Sequence, residues 1–487
     1  MALRLLIAAA VLVLAGGSAC GGPDVRIFYG GDELGYLEPC GCSKPQVGGF
    51  PRRATLIARL AADAGATLLL ERGNFVSAVN AQQRIKLEVI LMMLSEMGCT
   101  AATLGGHDLS LGTASLHAVR QGARFPFVSA NARSDLFVPY HLATVNVGGG
   151  SFRIGITAVT GEQEKSKFIA AGVSVDDPIP ALKDVLRTLQ GQTDYRVVLA
   201  NVTERAARAI ADECPGIDLI IAPGPDDEPL AQLEKIGQTV LALDGRRGKA
   251  LGEVQLAVDA GRLICAGHAV HRLDENVADS PAITALMAYY EEVLQSEAFV
   301  EKLDRLPAAG GAFTGPSRCI GCHRWQHDVW SKAKHARALD ALKTAFRSHD
   351  PECVVCHVTG LETRGGYVSE AATPDLASVS CESCHGAASE HVANPEAPWK
   401  RPGERDCLAC HTPDHSPQFV FAEYLPKIEH RMPVMTRPVA GYWLFGGAAV
   451  AGFALFTGVQ RRLFKRKYRP QAACRGLQGK RKTSIDH

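Results

Sequence analysis

Four times in the later part of this chain, two cysteines stand three apart and a histidine follows at once. The stretches are Cys319-Ile-Gly-Cys322-His323, Cys353-Val-Val-Cys356-His357, Cys381-Glu-Ser-Cys384-His385 and Cys407-Leu-Ala-Cys410-His411. Sulfur pairs at this spacing serve zinc ligation, thiol–disulfide exchange or attachment of a c-type haem. One match leaves all three open. Zinc knuckles space their histidines differently, and a thioredoxin-type pair does not recur four times. Haem attachment uses both features: two intervening residues let both sulfurs reach the vinyl groups of one porphyrin, and the next histidine lies under the iron. The pattern reads as four covalently bound haem c groups. Cys319, Cys322, Cys353, Cys356, Cys381, Cys384, Cys407 and Cys410 are the attachment points. His323, His357, His385 and His411 are the proximal iron ligands.

The surrounding segment suits that reading. From 317 to 435 apolar periodicity fades, and ten of the sixteen histidines fall between 317 and 430. Too few large apolar side chains remain for an ordinary core, so closely spaced haems would form it. His327, His335, His349, His391, His415 and His430 are available for the sixth iron positions. "CHRWQHDVWSKAKHARAL", "CVVCHVTG", "CESCHGAASEHV" and "CLACHTPDHSPQFVFAEYLPKIEH" resemble the tetrahaem cytochrome c-554 family, which shuttles electrons in nitrogen metabolism. The resemblance implies His335, His391 and His430 as distal ligands. It also allows one iron to keep an open position.

The earlier part, 24–275, is of another kind. "VRIFYG", "ATLLLE", "TAATLG", "PFVSAN", "RVVLAN" and "DLIIAP" are apolar runs of strand length, with helical stretches such as Ala81–Met97 and Pro180–Gln190 between them. The alternation predicts an α/β layered sandwich. Residues 141–159 and 239–270 read as added hairpins. A helix over 280–305, opened by Ser280-Pro281, and the linker "PAAGGAFTGP" fill 276–316. The multihaem domain that follows is expected to be mostly helical and irregular.

"DELGYLEP", "GGFPRRATLIARL", "LLLERGN", "TLGGHDLS" and "PGIDLIIAPGPDD" resemble the calcineurin-like metallophosphoesterase and 5′-nucleotidase family. That family uses a pair of metal ions roughly 4 Å apart to activate water on a phosphate ester. Carried onto this chain, its ligand positions are damaged. Asp32 is kept, but Leu34 stands for a histidine, Asn74 for an aspartate, Gly106 for an asparagine and Asn201 for a histidine. Gly224 and Asp226 replace the last two histidines, while His107 matches a neighbouring transition-state histidine. A second metal site could draw only on Asp32, Asn74, His107 and Asp226, so loss of the ordinary activity is expected. Cys40 and Cys42, in the loop after Asp32, are candidates for a different metal or a sulfur species, against the plainer reading of two loop cysteines. Cys99, Cys214 and Cys265 read as buried thiols.

The 487 residues carry a net charge of +1, so no global field points to nucleic acid. The first twenty, "MALRLLIAAAVLVLAGGSAC", read as a signal peptide. Cleavage before Cys20 would leave it to carry lipid, although Gly17 stands where such signals usually have Leu. Val439–Val459 is an uncharged run of 21 residues, against roughly 20 needed to cross a bilayer. The basic tail 460–487, with "RRLFKRKYR" and Cys474, belongs on the cytoplasmic side. The expected protein lies on the periplasmic side of the bacterial inner membrane, anchored by a C-terminal transmembrane helix. It relays electrons with a redox partner protein or a quinone-linked donor. Two alternatives stand beside this: a multihaem oxidoreductase acting on a small nitrogen or sulfur compound at an open iron, and a hydrolase with a rebuilt metal site.

Overall fold

The computed structural model describes residues 23–39, 45–308 and 311–430. The expected signal segment 1–20, Cys40 and Cys42, the apolar run 439–459 and the tail 460–487 lie outside the described residues. The chain divides into two compact units between Met287 and Ala288.

Two sheets organise the first unit. Val25–Gly30 pairs in parallel with Ala66–Glu71 and antiparallel with Ala250–Asp259, which pairs in turn with Arg262–Arg272. Gly150–Thr160, Tyr195–Asn201, Leu219–Pro223 and Thr239–Asp244 run parallel in the second sheet, edged by His141–Val147 and Glu234–Ile236. Side chains alternate across a strand, and the pattern is used on both faces. Ile27, Tyr29, Leu68 and Leu70 of the first sheet share one core with Ile154, Val197, Leu199 and Ile221 of the second. Val198, Ala200 and Ile220 point the other way, against Leu182, Leu186 and Ile210 of the helices Pro178–Leu189 and Glu204–Glu213. The α/β layered reading holds.

Three local expectations need correction. Residues 126–131 make only isolated bridges, Phe127 to Ala102 and Val128 to Val138, and the strand before them shrinks to Ala101–Ala102. Thr239–Asp244 joins Leu219–Pro223 in parallel, leaving Ala250–Asp259 and Arg262–Arg272 as the hairpin. The helix expected to run to 305 is Pro281–Ser296, because Ala298 takes φ +52° and ends the helical run.

The second unit consists, among its described residues, of short helices and irregular chain. Its apolar cluster is small: Val300, Leu339, Leu342, Val354, Val358, Leu361, Tyr367 and Leu376.

Candidate functional site

Each Cys-x-x-Cys-His stretch folds as one helical turn. The amide of His323 donates to the carbonyl of Cys319 at 2.8 Å, and that of His411 to Cys407 at 2.9 Å. The helices Pro351–His357 and Cys381–His385 hold the other two. Positions i, i+3 and i+4 of a helix share a face, so each turn presents two sulfurs and an imidazole together. The motifs also cluster. The thiols of Cys319 and Cys381 are within hydrogen-bond reach, as are those of Cys356 and Cys410, and Cys384 is close enough to feel Cys407. Their neighbour order is first, third, fourth, second.

Three further histidines come to three of these turns. Ring centres are 6.1 Å apart for His323 and His391, 6.2 Å for His335 and His411, and 6.0 Å for His385 and His430. An imidazole nitrogen bonds a transition metal at about 2.0 Å; two such bonds in line, plus the ring radius at each end, put ring centres roughly 6 Å apart. The donor set and its spacing therefore fit haem iron. His327 packs on Trp330 of its own helix with ring centres 5.3 Å apart, and His415 lies near Cys410.

Protonation suits ligation as well. Nδ1 of His357 lies 2.6 Å from the carbonyl of Ala338, that of His385 2.9 Å from Lys400, that of His391 3.2 Å from Ala397 and that of His430 3.0 Å from Ile428. A carbonyl only accepts, so in each pair Nδ1 carries a proton, which in the neutral ring leaves the Nε2 lone pair for a metal. Burial, then the charge of neighbouring histidines, lowers the pKa of His323 and His335. Burial lowers His411 and dominates at His385, where the Lys400 carbonyl opposes it. These rings stay neutral at neutral pH, as ligands must.

The second site gathers at the C-terminal ends of strands in the first unit, where open α/β sheets place their ligands. Asp32, Asn74 and Asn201 converge there; Asp32 and Asn201 meet on Arg72, and Asn74 joins through Asp32. The Arg72 guanidinium donates to Asp32 at 2.8 Å and to Asn201 at 2.9 Å, and lies 3.6 Å from Asp244. Asn74 donates to the other Asp32 oxygen at 2.8 Å, and Asn201 donates back to the Arg72 carbonyl at 2.8 Å. A second buried cation, Arg53, bridges Glu33 at 3.0 Å and Glu71. Gly30 and Gly31 make room for both: a Cβ on Gly30 would strike the Arg53 guanidinium, and one on Gly31 would meet Arg72 at 2.8 Å.

Electrostatics follow from this packing. Burial is the largest influence on Asp32, yet Arg72 and the hydrogen bonds from Arg72 and Asn74 outweigh it and hold the carboxyl below its usual range. Burial pushes Asp244 up to about 7 despite Arg72. It pushes Asp108 up to about 7 too, although that carboxylate accepts from the amides of Asn74, Gly105 and Val76.

The remaining family positions are not brought in as ligands. His107 meets Asn74 through its backbone amide at 3.1 Å. Asp226 is exposed, while its neighbour Asp227 pairs with Arg247 and with Lys249. A side chain at Gly106 would meet the Glu164 carboxylate, and one at Gly224 would meet the Asp244 carbonyl. Asp32, Leu34 and Asn74 all take left-handed backbone, φ +52°, +53° and +56°. Among the described residues no group of three or more His, Cys, Asp or Glu is arranged to hold a metal ion.

Sequence reasoning missed Arg72, Arg53, Glu33, Glu71 and Asp244. The available signal was charge at the end of an otherwise apolar strand, "ATLLLER", and paired arginines opposite the glycine pair of "YGGDE". Cys99 and Cys214 are buried and Cys265 half-buried.

Comparison with known proteins agrees with this division. Residues 318–386 match the family described as cytochrome c554 and c-prime. Cytochrome c-554 of Nitrosomonas europaea is 36% identical over 94 residues, 16% of this chain and 40% of that protein. An uncharacterized metallophosphoesterase of Bacillus subtilis, YunD, is 23% identical over 175 residues, 34% of this chain and 37% of that one. This chain thus spans about two fifths of the length of each of these relatives. Among solved structures, a 5′-nucleotidase precursor from Thermus thermophilus aligns with TM-score 0.48 and 19% identity, covering 66% of this chain and 67% of that one. The C-terminal part resembles the cytochrome c-554 family, which implies covalently bound haem c. It is fused to a part that resembles a metallophosphoesterase.

Proposed function

We propose that this protein is a membrane-anchored periplasmic electron carrier with four haem c groups, fused to a phosphoesterase-like domain without hydrolytic activity. The observation that carries the haem reading is the set of three imidazole pairs at 6.0–6.2 Å, each joining a motif histidine to one of His335, His391 and His430. In this reading, haem c supplies a one-electron centre at each motif. The chain's part is to fix each centre by two cysteines, to hold neutral imidazoles by their Nδ1–H groups, and to bring the motifs together. The neighbour order first, third, fourth, second is the route such a carrier offers. A redox protein or a quinone-linked donor is its partner. The periplasmic site rests on the signal-like start and on the basic flank after Val459.

The loss of hydrolysis is supported by Arg72. Its guanidinium engages two family ligand positions, Asp32 and Asn201, with a fixed positive charge, and the Asp244 backbone leaves no space for a ligating side chain at Gly224.

Mass spectrometry of the purified holoprotein is expected to show four covalently attached haems. His335→Met, His391→Met and His430→Met are each expected to change one haem's paramagnetic-resonance signal. Fewer than four haems, or three silent substitutions, would overturn the haem assignment. Metal-dependent nucleotide hydrolysis by the full chain, lost in Asp32→Ala, would overturn the reading of the first unit. A C-terminal fusion to a reporter that works only in the periplasm is expected to be silent; activity there would reverse the topology.

A further inference from the structure

The stretch Ala397-Pro398-Trp399-Lys400 makes four contacts with just two of the imidazoles above. The Ala397 carbonyl takes the Nδ1–H of His391 at 3.2 Å, and the Lys400 carbonyl takes that of His385 at 2.9 Å. Between these carbonyls in sequence, the Trp399 indole stacks on both rings. Its centre is 5.3 Å from His391 with the planes 7° apart, and 4.8 Å from His385 with the planes 25° apart. His391 pairs with His323 of the first motif, whereas His385 belongs to the third and pairs with His430. One four-residue stretch thus holds an imidazole from each of two different ligand sets.

The manner of contact matters. A metal bond to Nε2 lies in the plane of the ring, so an indole on the ring face leaves ligation undisturbed while fixing how the ring is rotated about that bond. Trp399 makes no other polar commitment: its Nε1 is buried without a hydrogen-bond partner. Its neighbours Glu396, Pro398 and Lys400 are exposed. An aromatic side chain turned inward from such a stretch, with its N–H left unpaired, is held there by stacking.

We propose that Trp399 is a shared positioning residue for the first and third haem sites, orienting His391 and His385 together so that the two sites are tuned jointly. Ring orientation and outer hydrogen bonding are among the means by which a protein sets an iron's ligand field and potential. This inference rests on the haem reading above.

The test uses the full-length holoprotein with Trp399→Leu and Trp399→Phe. The two signals to watch are those altered by His391→Met and by His430→Met, which mark the first and third haems. Trp399→Leu is expected to keep the wild-type haem content, to shift both marked signals and both corresponding midpoint potentials, and to leave the other haems unchanged. Trp399→Phe, which keeps a stacking face, is expected to shift the same two signals in the same direction by less. Phe419→Leu is the contrast. Phe419 stacks on His411 alone among the motif histidines, 4.5 Å away and 12° from parallel, so only the fourth motif's signal should move. Unchanged signals at the first and third haems, or a shift at one of them alone, would overturn the proposal. If the leucine variant fails to load haem, the phenylalanine variant decides by the same criterion. Failure of the haem reading itself is separable, because it shows in the wild type and in the histidine substitutions.

Discussion

The two units solve the same problem, holding polar groups out of water, by opposite means. In the first unit, cations come from the chain itself: Arg72, just past a strand end, lies among Asp32, Asn201 and Asp244, and Arg53, on the helix Phe50–Ala61, lies between Glu33 and Glu71, all of them buried. In the second, imidazoles stand in pairs, Nδ1–H of His385, His391 and His430 is tied to carbonyls, and the spacing fits a metal ion that the chain does not supply. A site completed from within is closed. Two guanidiniums there face four carboxyls, and burial raises the pKa of two of these, Glu71 and Asp244, so the chain's own cations hold the place of a metal. A site proposed to be completed by a prosthetic group stays chemically open, and among the described residues its unit has a small apolar cluster of its own.

The sharpest way to break this comparison is Arg72→Ala. Removing one partner of a buried ion pair leaves the other charge uncompensated, a cost of about 3–5 kcal/mol. Amide exchange in Val25–Gly30 is expected to accelerate accordingly, whereas His391→Met leaves that strand's exchange unchanged. A cost below about 1 kcal/mol would mean that Arg72 is not the counter-ion of the site.

The same contrast explains what was legible in advance. The proposed thioether attachment needs its cysteines and histidine within five residues, so the motif is written locally and four times. Distal ligands would be set by tertiary approach, and the proposed ones, His335, His391 and His430, could be named only through a family resemblance. The buried cations of the first unit leave almost no local mark. Arg72 reaches Asn201 across 129 residues of sequence, and the residue types alone say only that metal ligands are gone. The α/β layering was readable because apolar runs of strand length repeat. The parallel pairing of Thr239–Asp244 was not, because alternation does not reveal which neighbour a strand will choose.

A difference in pH response should separate the units next. Asp244 has a folded pKa of about 7, above the unfolded value of about 3.9. Between those values the folded state holds more protons, so stability falls as pH rises from about 4 to about 7 and is flat above. Two pH units within that window correspond to about 3 kcal/mol. Asp32, with its lowered pKa, acts in the opposite direction but only at more acid pH. Asp244→Asn is expected to reduce the first unit's slope between pH 5 and 7 without abolishing it, since burial raises Asp108 and Glu71 as well. An unaltered slope, measured by amide exchange across that range, would show that Asp244 is ionised throughout.

In the second unit the corresponding buried carboxylate is met by backbone amides. Glu382, inside the third motif, accepts from the amides of Thr314 at 2.9 Å, Gly315 at 2.7 Å and Ala388 at 2.8 Å. Glu382→Gln turns one acceptor oxygen into a donor and leaves at least one of these amides unpaired. The expected cost is about 1–3 kcal/mol, read as faster exchange at Gly315 with haem content unchanged. Loss of the third haem in this variant would instead make Glu382 part of the attachment machinery.

The smallest expected effect sits at Leu34, where the family has a ligating histidine. Leu34 holds φ +53°, a left-handed conformation that leucine rarely adopts and that histidine tolerates better. Its amide donates to the Asn74 carbonyl at 3.0 Å, which fixes the loop whatever the side chain. Leu34→His therefore relieves some backbone strain and loses some apolar contact from a half-buried position, a net change under about 1 kcal/mol. Restoring this one ligand is expected to restore no metal site. Asp32 stays engaged by Arg72 and Asn74, and the backbone at Asp244 still bars a side chain at Gly224. Added Zn²⁺ or Mn²⁺ should leave the variant's thermal midpoint where it was. A rise of several degrees with metal would mean that the guanidinium yields its place to a cation, and the first unit would then be an open site like the second.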